Sequence, residues 1–162
     1  MRTLAQNMPV RFNDHEIKSG LRSRRLLSAY LEGQAAVYRP QLKKVNLNYV
    51  FCTDNYLLSI NQQFLNHDTL TDIITFDLGE PEEHNQITGE IYISVDRVRE
   101  NAVKFGVTAE DELHRVIFHG MLHLCGFKDK KKQDSAIMRA KEEECLTGYK
   151  KFESEHALRD TI

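Results

Sequence analysis

One predicted helix constrains the fold more than any other part of the sequence, because its apolar residues lie on nearly every side. Thr108 and Asp111 form a capping-box pattern that predicts where the helix begins, and Gly126 stands where a helix would end. The apolar residues between these signals are Leu113, Val116, Ile117, Phe118, Met121, Leu122 and Leu124. A helix that is apolar all round is stable only when buried, so the other elements must surround it.

The same helix carries residues with metal-ligand chemistry. His119 and His123 are four residues apart, so their side chains lie on one helix face, about 40° apart around the axis. Asp129 follows on the returning turn, and buried histidines need partners that a metal ion can provide. Imidazole and carboxylate ligands suit Zn²⁺, and three protein ligands leave a position for water, as in a catalytic site. We therefore predict that His119, His123 and Asp129 bind one zinc ion.

The residue after the first histidine argues against one class of zinc enzyme. The spacing of His119, His123 and Asp129 is close to the metzincin peptidase signature, with Asp129 in the place of the third histidine. In zincin peptidases the residue that follows the first histidine is the glutamate that acts as general base. Here that residue is Gly120, which cannot accept a proton. The sequence therefore disfavours a peptidase of this kind without weakening the prediction of a metal site.

Length and composition are those of an ordinary globular protein. The 162 residues are 41% hydrophobic and 28% charged, which predicts one domain spanning residues 1–162. Three cysteines at scattered positions do not indicate a disulfide framework. There is no secretory pattern and no apolar run of about 18 residues, so we expect a cytoplasmic protein without a membrane partner. The net charge of −2 implies that any nucleic acid is attracted by local patches.

Hydrophobic periodicity predicts the remaining elements. Strands are predicted at residues 10–13 (an edge strand), 44–52, 71–78 (a central strand) and 87–95. Helices are predicted at residues 18–38, from about 54 to 65, from 94 or 96 to the glycine at 106, and from 134 to 144. We expect the last two strands to pair with each other across an acidic loop at residues 79–86.

The motif from His119 to Asp129 resembles that of a known family. The YbeY-type bacterial rRNA-maturation endoribonucleases share the motif H-G-x-L-H-L-x-G-Y-D-H. The residues that match it are His119, Gly120, Leu122, His123, Leu124 and Gly126, with Phe127 in place of Tyr. The resemblance extends to Asn61, to T-D-I-I-T-F at residues 71–76 (family T-D-V-L-S-F) and to G-E-I at residues 89–91 (family G-D-I). It covers roughly residues 46–146.

The resemblance implies both a fold and a function. The fold would be α+β, a mixed four-stranded sheet with packed helices and a zincin-like metal site. The function would be that of a single-strand-preferring, metal-dependent endoribonuclease of the bacterial cytoplasm, acting in small-subunit rRNA 3′ maturation and ribosome quality control. Its partners would be single-stranded rRNA, the small subunit and assembly factors, and not DNA. The metal would activate attack on a phosphodiester, and the sequence is compatible with either water or the RNA 2′-OH as nucleophile.

Two departures from the family pattern affect the predicted site. Asp129 replaces an imidazole ligand, which lowers the charge of the site by one unit and makes the metal a weaker Lewis acid. Leu65 stands where the family commonly has an arginine proposed to contact RNA phosphate. The nearest cations in sequence to the metal ligands are Lys128, Lys130 and Lys131, which we expect either to bind RNA or to form a charged loop without a role.

Two carboxylates on predicted strands are further candidates. Asp72 and Glu90 could each act as a catalytic base or as a partner that orients a ligand histidine, and turn capping or an edge position is an equally good interpretation. Two other functions stay open: a zincin-like metallohydrolase of another substrate, and a non-catalytic ribosome-assembly factor with a structural metal. Gly120 disfavours the first, and a fourth tight ligand would favour the second.

Overall fold

The fold is built on one mixed sheet of four strands. A computed structural model of the protein describes residues 8–66 and 71–160. The strands are β1 (Val10–Asp14), β2 (Lys44–Cys52), β3 (Ile73–Asp77) and β4 (Gln86–Ser94), in the spatial order β1-β2-β4-β3. β1, β2 and β4 are parallel, whereas β3 is antiparallel to β4. The predicted α+β class with a mixed four-stranded sheet is confirmed.

Five helices pack around this sheet in the described part of the chain. They are α1 (Arg24–Tyr38), α2 (Asp54–Leu65), α3 (Val95–Phe105), α4 (Ala109–Leu124) and α5 (Lys132–Asp160). The side chains of Thr53, Ser94 and Thr108 each accept the backbone N–H three residues later, which satisfies a free donor at the start of α2, α3 and α4. Gly106 ends α3 in the left-handed conformation that glycine adopts easily. No helix in these two described ranges has the length and apolar character needed to cross a membrane.

Helix α4 lies against one face of the sheet, and α2 packs on the other. In β4, Gly89 and Ile91 face α4, while Glu90 and Tyr92 lie on the opposite face because side chains alternate along a strand. The contact with α4 is close: a Cβ on Gly120 would lie 3.0 Å from the Cγ2 atom of Ile91. This contact gives Gly120 a packing role. The predicted burial of α4 is confirmed on nearly every side.

Two helix predictions were wrong in extent. The helix predicted from residue 18 begins at Arg24, because Gly20 and Ser23 adopt positive φ angles of 75° and 56° that a helix cannot contain. The side chain of Arg24 then donates to the backbone oxygen of Phe12 and fixes the start of α1 against β1. The last helix is much longer than predicted, running from residue 132 to residue 160.

The strand predicted at residues 71–78 lies at an edge of the sheet, so its prediction as a central strand was wrong. Its apolar residues reflect burial on two faces, since Ile73 faces α4 whereas Ile74 and Phe76 pack with the cluster under α2. The predicted pairing of β3 with β4 is confirmed, as is the edge position of β1.

Candidate metal centre

The two histidines of α4 converge with one carboxylate. The rings of His119 and His123 pack edge to face with centroids 4.6 Å apart. Both Nε2 atoms lie 3.3 Å from the same atom, Oδ2 of Asp129. One ligand atom from each of these residues lies within 4.8 Å of the other two, so the three residues could hold a metal ion. The three residues that the sequence predicted as ligands are therefore close together in the fold.

Asp129 reaches this position because the chain turns sharply after α4. Gly126 has a φ of 104°, a conformation that side-chain-bearing residues rarely adopt, and its N–H donates to the backbone oxygen of His123 at 3.0 Å. The N–H of Phe127 donates to the backbone oxygen of Leu122 at 3.1 Å. These bonds reverse the chain over the first residues of the segment 125–131, which we call the lysine loop.

A residue that the sequence prediction missed supports His119 from behind. The Nδ1 atom of His119 donates to Oε2 of Glu142, 2.9 Å away on α5. Glu142 is buried and lies on the same face of α5 as the buried residues Met138, Cys145 and Tyr149. A glutamate within an otherwise apolar helix stripe was the sequence signal that could have identified it.

Glu142 belongs to a buried cluster of charges centred on Arg115. The Nη1 atom of Arg115 donates to Glu142 at 2.9 Å, and its Nε donates to Glu112, also at 2.9 Å. Burial alone would raise the pKa of Glu142, but the hydrogen bond from His119 and the charge of Arg115 outweigh it and lower that pKa below its ordinary value. Burial likewise opposes the charge of Arg115, yet the two glutamates raise its pKa. Both charges of the pair are therefore maintained inside the protein.

The donor set fits a divalent metal ion. Because Nδ1 of His119 is engaged by Glu142, its Nε2 is left to face Asp129 and His123. Two imidazole nitrogens and one carboxylate oxygen form a set that suits zinc and similar ions, with room for a further ligand. A carboxylate behind a ligand histidine is a common arrangement at such sites, where it fixes the orientation of the ring.

A cavity of about 480 Å³ opens beside the three ligands. Its walls are β3 with the residues before it on one side and α4 on the other. The residues that line it are Thr71, Asp72, Ile73, Thr75, Asp77, Arg115, Val116, His119, His123, Leu124 and Asp129. Asp72 and Arg115 stand near each other, with 3.9 Å between Oδ2 and Nη2. The cavity gives a polar substrate access to the predicted ligands, and two further carboxylates, Asp72 and Asp77, and one cation, Arg115, also line it.

The two predicted carboxylates have different positions. Asp72 lines the cavity, just before β3 begins. Glu90 does not: its side chain lies on the opposite face of the sheet, where it accepts a hydrogen bond from the Tyr92 hydroxyl. The expectation that Glu90 acts at the metal centre was therefore wrong, because the alternation of β4 directs Gly89 and Ile91 toward α4 and Glu90 away from it.

The predicted cations are exposed close to the site. Lys128, Lys130 and Lys131 are all exposed in the lysine loop, on both sides of Asp129 in sequence. Leu65, at the end of α2, is 43% exposed, so the position at which the family commonly has an arginine is accessible to solvent. Among the described residues that line the cavity, Arg115 is the one lysine or arginine.

Comparison with known proteins identifies the family. The family described as Endoribonuclease YbeY matches residues 11–150. A Flavobacterium psychrophilum protein named Endoribonuclease YbeY is 60% identical over 100 residues, covering 62% of this chain and 69% of that protein. A Bacteroides thetaiotaomicron protein of the same name is 39% identical over 139 residues, covering 86% of this chain and 98% of the relative.

The fold is similar to that of a solved relative. A solution structure of a Thermotoga maritima protein matches with a TM-score of 0.55 and 28% identity, covering 90% of this chain and 95% of the other. The chain belongs to the Endoribonuclease YbeY family. The resemblance that the sequence motifs predicted is thus confirmed.

Proposed function

We propose that this protein is a metal-dependent endoribonuclease that prefers single-stranded RNA. The observation that carries the proposal is the convergence of His119, His123 and Asp129 beside an open polar cavity, in a chain of a family whose members are named endoribonucleases. The protein would act as a single domain in the bacterial cytoplasm, in small-subunit rRNA 3′ maturation and ribosome quality control. Its partners would be single-stranded rRNA, the small subunit and assembly factors.

The three converging residues would hold one zinc ion in a zincin-like site. When bound, the ion supplies Lewis acidity toward an oxygen of the phosphodiester. Asp129 adds negative charge to the ligand set, which moderates that acidity relative to a site of three imidazoles. The ring of His119 is kept in place by the hydrogen bond to Glu142, so this ligand needs little rearrangement when an ion binds.

Asp72 is the proposed base. It lines the same cavity as the three ligands, and its side chain is 27% exposed, so it can reach a substrate there. We propose that its carboxylate accepts the proton of the attacking oxygen, whether that oxygen belongs to water or to the RNA 2′-OH. Gly120, adjacent to His119, has no group that could do this.

The lysine loop would bind the RNA backbone. Lys128, Lys130 and Lys131 are exposed next to Asp129, and lysine ammonium groups bind phosphate without reading the base sequence. This local patch would compensate for the overall net charge of −2 and for the leucine at position 65. A flexible single strand could place its phosphates on the loop while one phosphodiester enters the cavity.

The test is cleavage of a single-stranded rRNA 3′ precursor by the purified protein, with chelator and after zinc is restored. We expect cleavage that chelator stops and zinc restores, and that the variants His119→Ala and His123→Ala lack. The control His84→Ala changes an exposed histidine in the β3–β4 loop and should cut normally. Equal cutting with chelator, or by the two α4 variants, would refute the proposal. A protein that binds zinc in the site but cuts no RNA would favour an assembly factor with a structural metal.

A further inference from the structure

The two ligand histidines differ in what holds their second ring nitrogen. Nδ1 of His119 donates to Glu142, whereas Nδ1 of His123 has no hydrogen-bond partner within residues 8–66 and 71–160. The side chain of His119 is 15% exposed, and that of His123 is 30% exposed. The second ring nitrogen of one ligand is therefore fixed by a buried carboxylate, while that of the other has no such contact in the described residues.

The carboxylate that holds His119 is itself held firmly. Arg115 donates to Glu142 through Nη1 at 2.9 Å and to Glu112 through Nε at 2.9 Å. Arg115 and Glu112 are separated by one helical turn on α4, and Glu142 comes from α5, so the cluster joins the two helices. The Glu142 carboxylate is thus bound on one side by a guanidinium and on the other by the imidazole.

Stability alone gives a poor account of this cluster. Ionic groups that are buried lose hydration that their mutual attraction only partly replaces, and apolar side chains of similar size often stabilise a protein as well or better. A buried carboxylate that accepts Nδ1–H does have a use, because it leaves the Nε2 lone pair free and fixes the plane of the ring. In His119 that lone pair is directed toward Asp129 and His123, where the other two ligand atoms lie.

We propose that Glu142, held by Arg115 and Glu112, is a positioning residue that keeps His119 in its Nδ1-protonated tautomer and directs Nε2 at the metal position. This inference rests on the metal site of the proposed function but not on its RNA substrate. Glu142 touches no reacting atom in this role and acts through His119. Within the described residues, no buried carboxylate supports His123 in this way.

The experiment compares two substitutions at position 142 with a matched control on α5. Glu142→Leu removes the acceptor and leaves Arg115 paired with Glu112, whereas Glu142→Gln keeps an oxygen that can accept Nδ1–H. The control Glu143→Leu makes the same change at the next, exposed residue. Thermal unfolding of each metal-free protein shows that it is folded, and a variant that is unfolded is replaced by Glu142→Met, which also lacks an acceptor oxygen.

Two measurements test the proposal. The tautomer of His119 is read by nitrogen-15 NMR of the metal-free proteins at alkaline pH, where imidazole is neutral. The zinc Kd is measured by competition with a chromophoric chelator. We expect Glu142→Leu to lose the Nδ1-protonated tautomer and to bind zinc about 10- to 100-fold more weakly. Glu142→Gln should retain the tautomer and lose less affinity, and Glu143→Leu should match the unchanged protein in both measurements.

Several results would overturn the proposal. One is a His119 tautomer that is the same with glutamate, glutamine or leucine at position 142. Another is a zinc Kd within about twofold of the unchanged protein in Glu142→Leu, and a third is equal losses in the leucine and glutamine variants. Because neither measurement uses RNA, a protein that passes both and cuts no RNA would retain the positioning role and refute only the nuclease.

Discussion

The metal centre consists of two halves with different surroundings. The buried half comprises Arg115, His119 and Glu142, on helices that pack against each other in the core. The exposed half comprises His123 and Asp129, whose side chains are 30% and 36% exposed, and it continues into the lysine loop. The residues of the buried half are held by ion pairs and hydrogen bonds within the core, whereas those of the exposed half contact solvent. The difference indicates that the buried half fixes the orientation of His119, whereas the exposed half is the side of the site that a substrate could reach.

The largest expected effect comes from removing an exposed ligand. His123→Ala should abolish stable zinc binding, because His119 and Asp129 alone provide only two ligands and hold an ion far more weakly. Elemental analysis of the dialysed protein gives the metal content. A full equivalent of metal in this variant would show that the exposed half is not part of the site. His84→Ala, with the histidine removed from an exposed loop, should keep its metal.

The buried half should dominate stability. Arg115→Met leaves Glu112 and Glu142 buried near each other without their cation, and breaking a buried ion pair in this way costs about 3–5 kcal/mol. Urea unfolding of the metal-free protein measures this loss. Lys130→Met makes the same kind of change in the exposed half and should stay within about 0.5 kcal/mol of the unchanged protein. Similar stabilities for the two variants would remove the distinction between the halves.

The exposed half should dominate RNA binding. Replacing Lys128, Lys130 and Lys131 by glutamine should weaken binding of single-stranded RNA while metal content and unfolding stay unchanged. If each lysine contacts one phosphate, the slope of log affinity against log salt concentration should become less negative by about 2 units, from roughly 0.7 per contact. Binding is measured by fluorescence anisotropy across a salt series. An unchanged slope would place the RNA on another surface.

The smallest expected effect concerns His114, a buried histidine that precedes the two ligand histidines on α4. Burial lowers the pKa of His114, a shift that Glu110 and Asp111 oppose and that Lys150 and Arg22 support. The folded protein therefore resists protonation of His114 more than the unfolded chain does. Its contribution to stability is fully present above the ordinary histidine pKa of 6.5, begins to be lost as the pH falls below that value, and continues to be lost until the pH passes the lowered pKa of the folded protein.

His114→Phe removes this titration, so the fall in Tm between neutral and acidic pH should be smaller in the variant than in the unchanged protein. Comparing each protein with itself at two pH values cancels any constant effect of repacking. A fall in Tm that is equal in the two proteins would show that His114 has no part in acid sensitivity. We expect this pH-dependent contribution of His114 to the free energy of unfolding to be smaller than the loss in Arg115→Met.

The parts of the site that the sequence predicted are those fixed by local spacing. His119 and His123 share a helix face, and Gly126 permits the sharp turn that brings Asp129 back to them. Short-range geometry therefore determines all three positions. The bounds of β2 at residues 44–52 were predicted without error, since a buried residue recurs at every second position from Val45 to Phe51.

The parts that the sequence did not predict depend on contacts between distant segments. Glu142 is 23 residues from His119, and periodicity within one helix carries no information about which helix faces it. The position of Glu90 depends on which face of β4 packs against α4, and the edge position of β3 depends on the order of strands in the sheet. Neither property is encoded in the composition of the strand itself.

The lengths of the strands have a consequence for how the protein behaves at high concentration. The two inner strands, β2 and β4, have nine residues each, whereas the outer strands, β1 and β3, have five. An outer strand presents unpaired backbone groups to which another chain can add, and short outer strands limit that growth. The longest stretch of strand pairing, between β2 and β4, thus lies in the middle of the sheet. The protein should therefore resist self-association through its sheet edges, even though one of those edges borders an open cavity.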